Sequence, residues 1–287
     1  MTDYERTSRF ERRDPPMAPF LVVVPFTREK PLVLIKTFDE HFPTPEKNDL
    51  NATDPPMPPL TASEDRMVKT LAGRTSLELE ALMAGELFFL AGLLGVEMFN
   101  LFRNNPAAGR RIEFRAGSKL TKAVEATVLF ESVHQKVHGE FNDLIKQQFF
   151  VRFVDPSRLE ATKMGKGKFG RTLLFNPNGI KTSVDIAIPP TNIPLQAVIG
   201  GSFQGGQVAL KEFSADSAKK TYKATLEYTL IDHFGVDNND VLPPPPHGSP
   251  GQIAFWLLQH RYHPGHYPYL TTVIIEREIA GGPFVVG

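Results

Sequence analysis

The run Tyr228-Thr-Leu-Ile-Asp232-His233-Phe234-Gly235-Val236-Asp237-Asn-Asn-Asp240 ends an alternating, strand-like stretch in carboxylates, an imidazole and a glycine. Further along comes Trp256-Leu-Leu-Gln259-His260-Arg261-Tyr262-His263. Acids and imidazoles cost desolvation near a core and stay there when paired, liganded or used. Carboxylates beside imidazoles are the residue types of general acid–base work. The candidate catalytic set is Asp232, His233, Asp237 and His260, with Gln259, Arg261 and Trp256 as candidate substrate contacts. If the set is enzymic, hydrolysis is its natural chemistry. A carboxylate activates water, His233 or His260 moves a proton, and Arg261 stabilises developing negative charge on a phosphodiester or pyrophosphate. The structural alternative is that Asp and Asn at a strand end cap the turn that follows. The chemical reading requires the 232–237 and 259–261 segments to meet in one water-accessible recess.

Other spacings carry less. Asp237-Asn-Asn-Asp240 resembles part of a calcium loop but lacks its glycine and distal glutamate. His260, His263 and His266 recur every third residue, yet Pro264-Gly265 interrupts them. His134 and His138 are spaced i, i+4, but Gln135 stands where a zinc protease needs glutamate, so they read as surface histidines. Gly165-Lys-Gly-Lys-Phe-Gly170 has dinucleotide-loop letters without a preceding strand, and reads as a basic, solvated loop. No metal or cofactor is assigned.

Composition narrows the classes. The chain has 287 residues, 41% hydrophobic and 22% charged, as soluble globular proteins do. Lys plus Arg equals Asp plus Glu at 32 each, against a general nucleic-acid binder. With no cysteine there is no disulfide and no thiol nucleophile. Residues 1–14 mix charges and have no apolar core, unlike a secretory signal.

Residues 1–70 are rich in proline and read as an arm or docking segment, with short strands at Leu21–Val24 and Leu32–Ile35. Helices are expected at 75–103, capped by Ser76, and at 118–149, capped by Ser118. Between Leu87 and Val96 the first is apolar round most of its girth, which predicts deep burial, and Glu86 and Glu97 argue against a membrane span. From 156 onwards the pattern turns to strands at Thr172–Phe175, Ala197–Phe203, Gln207–Phe213, Tyr222–Ile231 and Tyr269–Ile279, with a helix at Gln252–Tyr262. Ser183–Ile188 fits either a strand or a turn of helix. The expected fold is α+β: a helical N-terminal half (71–155) packed on an antiparallel β-sheet (156–287) with one additional C-terminal helix. A reading of the two parts as layers of one body stays open.

Asp232-His-Phe-Gly-Val-Asp237, Trp256-Leu-Leu-Gln259-His260 and Pro268-Tyr-Leu-Thr271 follow in the order and spacing of a proteobacterial family known as domain of unknown function 3289. The resemblance covers about residues 195–280, with Val236 where the family has leucine. It implies an antibacterial effector of a type VI or polymorphic toxin system, made in the cytoplasm and delivered to a rival's envelope or periplasm without a signal peptide. A secretion component or chaperone and an immunity protein are the implied partners. Two further readings stay open: a non-enzymatic toxin that perturbs membranes through the helix from Leu77 to Phe102, and a protein-interaction module.

Overall fold

A computed structural model describes residues 22–26, 28–37, 62–107, 109–146, 171–175, 180–184, 186–216, 219–237, 240, 248–262 and 265–284. It is an α+β structure. Strands β1 (Val22–Phe26) and β4 (Arg171–Phe175) form an antiparallel ribbon. The main sheet takes β2 (Leu32–Lys36), β5 (Gly205–Asp216), β6 (Thr221–Phe234), β7 (Tyr269–Gly281) and β3 (Arg111–Phe114), in the order β2-β5-β6-β7-β3. All its pairings are antiparallel except β3 on β7. The proline-rich arm thus supplies an edge strand to the main sheet; its residues 1–21 and 38–61 lie outside those described.

The helices are α1 (Ala62–Ala72), α2 (Ser76–Arg103), α3 (Lys119–Glu125), α4 (Val128–Leu144), α5 (Ile193–Ile199) and α6 (Pro250–Arg261). Thr75, rather than Ser76, caps α2. Its hydroxyl accepts from the Glu78 N–H, and the Glu78 carboxylate accepts from the Thr75 N–H at 2.9 Å. The helix expected at 118–149 is two, because Thr127 accepts from the Phe130 N–H and starts α4 afresh. That break leaves Val128, at the start of α4, exposed. Ala197–Phe203 is not a strand: α5 runs into its first three residues and ends at Gly200, with Asn192 capping the helix start. The arm's end is helical as α1.

Along β6, Tyr222, Ala224, Leu226, Tyr228 and Leu230 point to one buried face. Aromatic edges meet α4 there, Tyr228 against Phe130 and Tyr222 against Phe141. His134 is buried rather than at the surface. Its Nδ1 lies 2.9 Å from the Tyr228 hydroxyl, and burial lowers its pKa. On the opposite face Lys211 bridges Glu227 and Glu276 at 2.7 Å each. A single apolar cluster runs from Leu34 to Ile279, so helices and sheet share one core.

Candidate functional site

Strand geometry decides what Asp232 and His233 can do together. β6 continues to Phe234, and neighbouring residues on a strand point to opposite faces. Asp232 therefore shares the inner face with Tyr228 and Phe234, while His233 points to the outer one. Asp232 is 2% exposed, and burial pushes its carboxyl well above the usual range. It accepts from the His233 backbone N–H, but Oδ2 has no hydrogen bond. Across the ladder stands Thr271, whose Oγ1 also lacks a partner. His233 Nδ1 meets Gln204 Oε1 at 3.0 Å, and burial pushes its pKa down to about 4, so the ring is neutral at pH 7.

The two motif segments do meet, but in the core. Gln259 Oε1 accepts from the Val236 N–H at 2.9 Å, and its Nε2 donates to the Val236 carbonyl at 2.8 Å. The same amide nitrogen lies 3.1 Å from His260 Nε2, which assigns that ring nitrogen as the acceptor. His260 packs against Trp256 with centroids 4.9 Å apart, and both are buried. Arg261 is exposed, with its guanidinium carbon 6.0 Å from the Trp256 ring centre. Asp237 and Asp240 cap each other's N–H groups, at 2.8 and 3.3 Å. Phe234 packs on Tyr269 and Phe255. Gln259 thus clamps the Val236 turn with His260 and Trp256 packed behind it, Arg261 lies exposed over Trp256, and Asp232 and His233 diverge.

His266 is held elsewhere, its Nε2 2.9 Å from Glu80; His263 and most of the basic 163–171 loop lie outside the described residues. Among the described residues, no group of three or more His, Asp or Glu is placed to hold a metal ion.

The larger surprise is α2. Gly92 has φ 57° and ψ −135°, and the chain turns back there. Glu80 on the first arm bonds Arg103 on the second at 2.9 Å. In a straight helix these residues would lie roughly 34 Å apart. A Cβ on Gly95 would lie 2.2 Å from the Leu87 carbonyl oxygen, so only glycine lets the arms touch. By length and composition α2 is long and apolar enough to cross a membrane. Folded, its arms 76–91 and 93–103 are about 24 and 16 Å long, too short for a hydrocarbon core of about 30 Å.

The fold-back overturns the expected burial of 87–96. Leu79, Met83, Leu87, Leu94, Met98 and Phe102 enter the core, but the tip does not: Phe88 is 58% exposed, Phe89 85% and Leu93 65%. Glu86 is turned away from solvent. Its carboxylate accepts from the Ser249 hydroxyl and, at 2.9 Å, from the Gly251 N–H, at the N-terminus of α6. From Leu93 an open cleft of about 510 Å³ follows the second arm down to Asn104 and Arg110. The sequence carries a signal for this tip: Gly85, Gly92 and Gly95 punctuate an apolar run that a single helix face cannot bury.

Comparison with family models, curated proteins and solved structures found no match for this chain.

Proposed function

We propose that this chain is an antibacterial effector that acts at the envelope of a target cell by inserting the tip of the α2 hairpin into the membrane surface. The exposure of Phe88, Phe89 and Leu93 carries this reading, because one short turn presents three large apolar side chains to water. Moving their exposed parts into lipid is worth about 5 kcal/mol in all. That makes a wedge rather than a span, in keeping with arms too short to cross. The effector assignment rests on the motif resemblance in the C-terminal third. On this reading the protein is made in the cytoplasm, is secreted, and has a secretion partner or chaperone that covers the tip before delivery. An immunity protein would protect the producer.

Dye release from protein-free vesicles tests the proposal. Wild type should release dye and Phe88→Ser/Phe89→Ser should not; a wild type that leaves vesicles intact overturns it.

A hydrolytic reading is favoured by a separate observation, the buried Asp232 carboxyl with one oxygen unbonded. Burial of this kind marks catalytic acids as well as structural ones. It requires that Asp232→Asn abolish toxicity while the protein stays folded.

A further inference from the structure

The tip alone is a weak anchor, since a few buried apolar groups give marginal, reversible membrane binding and stable attachment takes a second signal. The cleft beside it has the chemistry of that signal. Leu93 and Val96 line the part near the tip, Glu97 and Asn100 the middle, and Leu101, Asn104 and Arg110 the far end. Lys119 sits along the wall, paired with Glu97 at 3.2 Å. Arg110 is exposed and has no carboxylate partner among the described residues. The cleft is therefore apolar at the end that would enter lipid and cationic at the end that would stay in the headgroup layer. From Leu93 to Asn104 the arm rises about 16 Å. One leaflet's hydrocarbon is about 15 Å thick. With the tip at acyl-chain depth, Arg110 reaches the level of the phosphates.

We infer that the 93–110 cleft binds one anionic glycerophospholipid of the target leaflet, its phosphate on Arg110 and Asn104 and its acyl chain along Leu101, Val96 and Leu93. This rests on the membrane reading above and adds lipid selectivity to it. A basic side chain at an anionic surface strengthens binding about fivefold.

The test is co-sedimentation of the full chain with vesicles of phosphatidylcholine alone and of phosphatidylcholine mixed with phosphatidylglycerol, at one ionic strength. Wild type should prefer the mixed vesicles. Arg110→Ala should lower partition into them about fivefold and leave partition into phosphatidylcholine unchanged. Arg66→Ala, a charge removed from α1, should change neither. Equal partition of wild type into both vesicles, or equal losses for the Arg110 and Arg66 variants, would overturn the inference. So would a dimer in sedimentation velocity that Arg110→Ala dissolves, since the cleft would then hold a second copy. Phe89→Ser reports on the tip separately: it should weaken binding to both vesicle types, and if it weakens neither, the membrane reading itself fails.

Discussion

Replacing Gln259 by leucine keeps the volume at the α6–turn junction and removes every hydrogen bond its amide makes. The Val236 N–H and carbonyl lose partners at 2.9 and 2.8 Å. Val236 is buried, so water does not readily replace them. An orphaned buried polar group costs about 1–3 kcal/mol, which puts the variant about 2–6 kcal/mol below wild type. For a chain of this size each kcal/mol lowers Tm by about 2–4 °C, giving a drop of about 4–24 °C. Near-ultraviolet circular dichroism suits the measurement, because the sole tryptophan, Trp256, packs on His260 beside the clamp. Arg261→Ala is the companion. It removes an exposed cation–π contact worth about 0.5–1 kcal/mol and should lower Tm by a few degrees at most. A Gln259→Leu variant that melts within about 2 °C of wild type would refute the claim that the motif locks the strand–helix junction.

Three further outcomes follow from the same geometry. Burial raises the folded pKa of Asp232 above its ordinary 3.8, so the folded state holds that proton more tightly. Its contribution to stability falls as pH rises from 3.8 towards the folded value, and Asp232→Asn should raise the urea midpoint at pH 7 and not at pH 3. Lower stability of the Asn variant at pH 7 would count against this. For His233 the sign is opposite in pH: the neutral ring is favoured in the fold, so stability is complete above pH 6.5 and is lost as pH falls towards about 4. His233→Gln should flatten the urea midpoint across that window, and an unchanged slope would contradict the assignment. Gly95→Ala should cost about 3 kcal/mol or more by forcing the α2 arms apart, whereas Gly85→Ala, with nothing within 4 Å of its Cβ, should be neutral or stabilising in the same urea titration.

The elements with strong periodicity were legible. β6, β7 and α6 fall where alternation and the Trp256–His260 run put them, and the α+β class follows from their order. The chemical reading requires the 232–237 and 259–261 segments to meet in a water-accessible recess, whereas they meet in the core, through Val236 and Gln259. The divergence of Asp232 from His233 was implicit in the two-residue period of a strand, once the strand is taken to reach Phe234. α5 escaped because a short apolar run such as Ile193–Ile199 has no period long enough to separate helix from strand. The α2 fold-back was hidden for another reason. An unbroken helix and a hairpin share one hydrophobic pattern; the glycines at 85, 92 and 95 mark the tip in the sequence, but the φ of Gly92 and the backbone contact at Gly95 are what turn that mark into a fold-back.

The central claim concerns where the molecule meets its target, and growth of a susceptible bacterium expressing the protein in its periplasm tests it most directly. With expression and folding matched, Phe88→Ser/Phe89→Ser should abolish growth arrest and Asp232→Asn should retain it. Arrest that survives the tip substitutions and disappears with Asp232→Asn would contradict the account and return the activity to the buried carboxylate.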